Sequence, residues 1–87
     1  MKSIEEIKKE LFDYVKDNTF KETSTLSSDT KIFVEGILDS MGFVLLIDFI
    51  EKQFSVTAGD SDLVEENFKS IDAIADFVMR KNPAIVQ

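Results

Sequence analysis

The sequence predicts an all-α fold, a small bundle of three main helices plus one short helix, with a long loop between the first and second helices. Three observations lead there. Apolar residues recur at three- and four-residue intervals in three separate segments, the spacing that gathers them on one helical face. Each of those segments opens on Ser or Asp, side chains that accept from the first N–H groups of a new helix. The one stretch with strand character, Ile32 to Leu38, has no partner strand elsewhere in the chain. At 87 residues, the whole of 1–87 is expected to form a single domain.

The first helix spans about residues 3 to 17. Ser3 and Glu6 have the spacing of a capping box. Ile4, Ile7, Leu11 and Val15 form its apolar stripe, with Lys8, Lys9 and Lys16 on the other side. Asn18 to Lys31 is rich in Thr and Ser, with Leu26 its one aliphatic residue, and reads as loop. Ile32, Phe33, Val34, Ile37 and Leu38, broken by Glu35-Gly36, read as its continuation, pinned to the core. A loop of this length in a compact domain points to function. Asp39 and Ser40 start a second helix that runs to about Phe54. Its core face is expected to be Val44, Ile47, Ile50 and Phe54, flanked by Met41 and Leu46. One or two helical turns fit within Asp62 to Phe68. The last helix follows Ser70, turns Ile71, Ile74, Ala75 and Val78 inward, places Arg80 and Lys81 at its negative end, and stops at Pro83.

Composition narrows the chemistry. A hydrophobic fraction of 44% with 31% charged residues fits a folded chain rather than a disordered one. Seventeen acids against ten bases give a net charge of −7, which argues against nucleic acid and against anionic lipid as partners. With no Cys there is no disulfide, thiolate nucleophile or Cys-based zinc site; with no His the commonest general base and metal ligand are missing. The first 25 residues hold no apolar signal-peptide core. The longest apolar run, Phe43 to Ile47, is far too short to span a bilayer, so the cytoplasm is the expected location and no membrane span is expected.

The negative charge is concentrated. Residues 32–68 carry Glu35, Asp39, Asp48, Glu51, Asp60, Asp62, Glu65 and Glu66 against Lys52 alone, while the flanking segments nearly balance. Such a field speeds encounter with basic partners, or simply solvates a surface. Asp60, Asp62, Glu65 and Glu66 lack the ligand spacing and central Gly of an EF-hand loop, so no metal site is expected, and a calcium-binding regulator is the weakest alternative. Paired-carboxylate hydrolysis needs a cleft that so small a chain hardly encloses. The chain is not expected to catalyse a reaction on its own.

Two features of the second helix remain. Ser40 sits where N–H donors and the helix dipole favour a negative group, so it is either a cap residue or a site for an esterified phosphate. Phe43, Leu45 and Phe49 lie off the expected core face. Either the loop through Ile32, Phe33 and Ile37 covers them, or Leu45 and Phe49, neighbours at i and i+4, form a docking surface for another protein.

The segments Gly36-Ile-Leu-Asp-Ser-Met41, Phe43 to Phe54 and Glu66 to Val78 give the chain a resemblance to acyl carrier proteins of the phosphopantetheine-binding family. Asp39-Ser40-Met41 is similar to that family's Asp-Ser-Leu attachment motif. The resemblance covers nearly the whole chain. It implies that Ser40, next to Asp39, receives 4′-phosphopantetheine from coenzyme A through a separate phosphopantetheinyl transferase, and that the thiol so acquired holds an acyl or aminoacyl group as a thioester. The chain would be a monomeric carrier serving acyl-activating and acyl-transferring enzymes. Basic docking patches on those enzymes would meet Met41, Leu45, Asp48, Phe49 and Glu51. An acyl chain would find shelter among Val44, Ile47, Ile50, Phe68, Ile71 and Ile74. Fatty-acid-type carriers usually place acids where this chain has Gly42 and Leu45, and peptide-synthetase carriers show a Gly-Gly pair that it lacks. Fatty-acid, polyketide or other specialised acyl biosynthesis, or a D-alanyl or other aminoacyl cargo, all remain open. The rival reading is a helical adaptor without a prosthetic group, in which Ser40 is only a cap.

Overall fold

The computed structural model describes residues 2–19 and 21–86. Among them are four α-helices and no strand: α1 (Ile4–Asp17), α2 (Ser40–Phe54), α3 (Glu65–Phe68) and α4 (Ile71–Lys81). Short 3₁₀ segments lie at Asp60–Asp62 and Pro83–Val86. The expected all-α bundle forms, and α1, α2 and α4 start where the sequence names; the short helix α3 starts only at Glu65, within the expected Asp62 to Phe68. Ser3 Oγ accepts the Glu6 N–H at 3.1 Å while the Glu6 carboxylate accepts the Ser3 N–H at 3.0 Å, completing the capping box of α1. Ser70 Oγ accepts the Ala73 N–H and caps α4. Pro83 lies just beyond the Asn82 cap, where a residue without an N–H cannot extend the helix.

All four helices and the long loop contribute to one apolar cluster. Ile7, Leu11 and Val15 enter it from α1, Leu46, Ile50 and Phe54 from α2, Phe68 from α3, and Ile71, Ile74, Phe77 and Val78 from α4. The loop adds Leu26, Ile32 and Leu38. Backbone bonds pin it there: the Ile32 N–H donates to the Lys69 carbonyl at 2.9 Å, and the Asp72 N–H donates to the Ser28 carbonyl at 2.8 Å. The loop is thus held across the α3–α4 junction, as the apolar residues of 32–38 suggest.

Part of that loop is a helical turn. The Glu35 N–H reaches the Lys31 carbonyl, the Ile37 N–H reaches that of Ile32, and the Gly36 N–H reaches that of Phe33. The last two bonds form the pair that closes a helix end in a Schellman motif, and Gly36 takes the left-handed conformation the motif needs, with φ of +74°.

The core face of α2 differs from the expected one. Val44 is 61% exposed, and Leu46, expected at the flank, is fully buried beside Ile50 and Phe54. The reason is Phe43. Its ring stands edge-on to Phe33 and to Phe68, with centroids 5.5 Å apart in both pairs. Packing the larger ring inward turns Val44 out. Phe49 stacks on Tyr14 of α1 at 4.2 Å and meets Phe54 edge-on at 6.0 Å. The two open readings of this surface therefore divide between residues. Phe43 and Phe49 are covered, whereas Leu45 stays 49% exposed alongside Val44 and Met41.

Candidate functional site

Ser40 is the first residue of α2 and is exposed. Asp39 precedes it in extended conformation, and its Oδ1 accepts the Gly42 N–H at 2.9 Å. That bond satisfies one of the donors an α-helix leaves free at its start; the Ser40 and Met41 N–H groups have no intrahelical acceptor. The opening of α2 is therefore electropositive around an exposed hydroxyl.

Two cavities meet at this point. An open groove of about 570 Å³ is lined by Phe33, Leu38, Asp39, Ser40, Phe43 and Val44. A second cavity, of about 380 Å³, runs from Asn18, Thr19 and Lys21 past Gly36 and Ile37 to Leu38 and Asp39. Leu38 and Asp39 belong to both. The Thr19 hydroxyl donates to the Ile37 carbonyl and accepts the Lys21 N–H at 3.1 Å, which ties the segment after α1 to the approach to Ser40.

The first turn of α2 also explains a departure seen in the sequence. A Cβ on Gly42 would lie 3.1 Å from the Leu38 Cβ and 3.4 Å from Asp39 Oδ1. A side chain at 42 would crowd the residues that set the Ser40 hydroxyl in place, so an acid there is sterically disfavoured.

The residues expected to meet partners are placed unequally. Met41 is 66% exposed and, with Val44 and Leu45, forms an apolar surface just past Ser40. Asp48 is exposed and pairs with Lys52 at 3.1 Å. Glu51 is half-buried, its carboxylate accepting the Ala58 N–H at 2.9 Å to brace the chain leaving α2. Phe49 is half-buried against Tyr14. Farther on, Asp62 takes the Lys81 ammonium at 2.9 Å and the Gly59 N–H at 3.0 Å, and Glu66 pairs with Lys69 at 3.1 Å. Sequence reasoning missed Val44 as a surface residue, and Thr19 and Lys21 as neighbours of the site. Their link to Ile37 crosses 18 positions, and no local spacing encodes it.

An exposed hydroxyl at a helix start, with free N–H donors beside it and an open groove next to it, accommodates an esterified phosphate without displacing any core residue. The chain belongs to the family described as "phosphopantetheine attachment site", whose model matches residues 9–78. It is also similar to the D-alanyl carrier proteins of Lactococcus lactis subsp. cremoris strains MG1363 and SK11 and of subsp. lactis strain IL1403. Each is 29% identical over 75 residues, spanning 86% of this chain and 95% of the relative. The prosthetic group is 4′-phosphopantetheine, and the protein is a non-catalytic carrier that works with a phosphopantetheinyl transferase and with enzymes that handle the carried group. No helix among the described residues is long and apolar enough to cross a membrane.

Proposed function

We propose that Ser40 is the attachment point, and that the protein carries an acyl or aminoacyl group in the cytoplasm, as a monomer, to enzymes that load and unload it. The observation that carries this reading is the position of Ser40: first in α2, exposed, and on the rim of the groove formed by Phe33, Leu38, Phe43 and Val44. When bound, 4′-phosphopantetheine supplies a terminal thiol that holds the cargo as a thioester, and a chain without Cys has no other thiol to offer. The protein's own residues do the rest. Asp39 fixes the first turn through Gly42, the free N–H groups of Ser40 and Met41 favour a negative group there, and Leu38 with Phe43 gives the groove an apolar floor. Met41, Val44 and Leu45, bordered by Asp48, offer a docking face with an apolar centre and an acidic edge. It suits enzymes whose basic patches surround an apolar contact.

Two observations favour a small aminoacyl cargo over a long acyl chain. One is the similarity to D-alanyl carriers. The other is the row of rings between α2, α3 and α4. Phe43 meets Phe68 at 5.5 Å and Phe68 meets Phe77 at 5.0 Å, filling the space in which a long chain would shelter among Ile47, Ile50, Phe68, Ile71 and Ile74. Val44, once counted in that shelter, faces outward.

The test is incubation with coenzyme A and a broad-specificity phosphopantetheinyl transferase. Intact mass should rise by one phosphopantetheinyl group, and Ser40→Ala should abolish the gain. No gain where a control carrier is modified would favour the adaptor reading. Mass analysis of the loaded protein from its native host then identifies the cargo, and a long-chain acyl group would overturn the preference for a small one.

A further inference from the structure

We infer that Lys21 is a positioning residue, the built-in counter-charge for the phosphodiester formed on Ser40. The inference rests on Ser40 being the attachment point. It begins from an electrostatic problem at the start of α2. Asp39 already places a carboxylate there, with Oδ1 on the Gly42 N–H. A phosphodiester on the next residue adds a second negative charge, within a segment, residues 32–68, whose one base is Lys52. Lys52 lies near the other end of α2 and is paired with Asp48 at 3.1 Å. The segment has no free cation of its own to offset the pair of charges.

Lys21 supplies one from the loop after α1. It is the one basic residue lining either of the two cavities that share Leu38 and Asp39. Its stem lies over Gly36, with Cε and Nζ 3.5 and 3.7 Å from where a Cβ on that glycine would be. Its backbone is held by the Thr19 hydroxyl, which itself bonds to the Ile37 carbonyl. Among the described residues Lys21, like Lys16 and Lys31, has no carboxylate partner, whereas Lys2, Lys8, Lys9, Lys52, Lys69 and Lys81 each have one; of those three, Lys21 alone lines either cavity. A lysine with a secured backbone and an uncommitted ammonium, in a cavity that ends at Asp39, is placed to meet a phosphate oxygen with a compact charge and three donors. Its effect is to hold the first atoms of the arm near the Leu38–Asp39 wall and to relieve their repulsion from Asp39.

The test compares the protein before and after loading with coenzyme A and transferase. Lysine ¹³Cε resonances are compared at one fixed pH, and Lys21 is assigned from the signal lost in Lys21→Arg. The Lys21 resonance is expected to shift on loading, whereas that of Lys52, about 18 Å along the helix from Ser40, should not. In the loaded protein, Lys21→Ala should shift the ³¹P resonance of the diester and Lys21→Arg should restore it. A Lys21 resonance that does not move on loading, in a protein whose mass shows it loaded, overturns this inference and leaves Ser40 standing. A mass that never rises removes both.

Discussion

At the scale of single residues, Asp39 carries two demands at once: it caps α2 and it forms the wall between the two cavities beside Ser40. Asp39→Ala leaves the Gly42 N–H without its acceptor and should lower stability by about 1 kcal/mol, read as a fall in denaturant midpoint. Asp39→Asn keeps an acceptor and should recover most of that loss. Gly42→Val should cost more, about 1–3 kcal/mol, because the new Cβ meets the Leu38 Cβ, which is fixed to the backbone and cannot swing away. These two positions also show what could be read from the chain alone. Asp39 and Ser40 announce a helix start by residue type. Gly42 could be seen only as an acid that is missing; its cause is the approach of Leu38, a contact through space that appears once the chain has folded.

At the scale of elements, α1 and α4 were legible because each has a polar face that fixes the apolar one. Helix α2 is apolar almost all round its first three turns, so periodicity alone gives no unique inward direction. The choice between Val44 and Phe43 fell to ring packing across Phe33 and Phe68. Helix α3 has only four residues, too few to hold itself together in water, and it exists because Phe68 is anchored between Phe43 and Phe77. Phe68→Ala should therefore cost about 3–5 kcal/mol, enough to consume much of the stability of so small a fold. A thermal melt that falls by only a degree or two would show that α3 does not depend on this ring. The turn at 31–36 escaped notice because its signal is one glycine after a single apolar turn, too short a stretch for a periodic pattern.

For the whole molecule, charge sets the conditions under which the fold persists and binds. The Lys81 ammonium, with help from the Gly59 N–H, holds the Asp62 carboxyl below its usual value. Lys8 does the same for Asp72 against the opposing effect of partial burial, and the Ser3 cap does so for Glu6. Each group prefers its charged form when folded, so its contribution is complete above the unfolded pKa and is lost as pH falls through the folded one. The denaturation midpoint should stay level from pH 7 to 5 and drop below about pH 4, and Lys81→Met should make that drop smaller. Association with partner enzymes should weaken as salt is raised, but not vanish, because Met41, Val44 and Leu45 are insensitive to screening. A Kd independent of salt would rule out an acidic contribution to docking.

The Lys2 N–H donates to the Ile85 carbonyl at 2.7 Å, and both residues border the hollow that includes Gln53 and Phe54. Ser40 lies at the opposite end of that helix, about 21 Å away along its axis. A group attached at Lys2 or Ile85 would thus sit at the pole remote from the hydroxyl. With attachment at Ser40 as proposed, a form held on a bead through either residue should accept its prosthetic group as fast as the free protein.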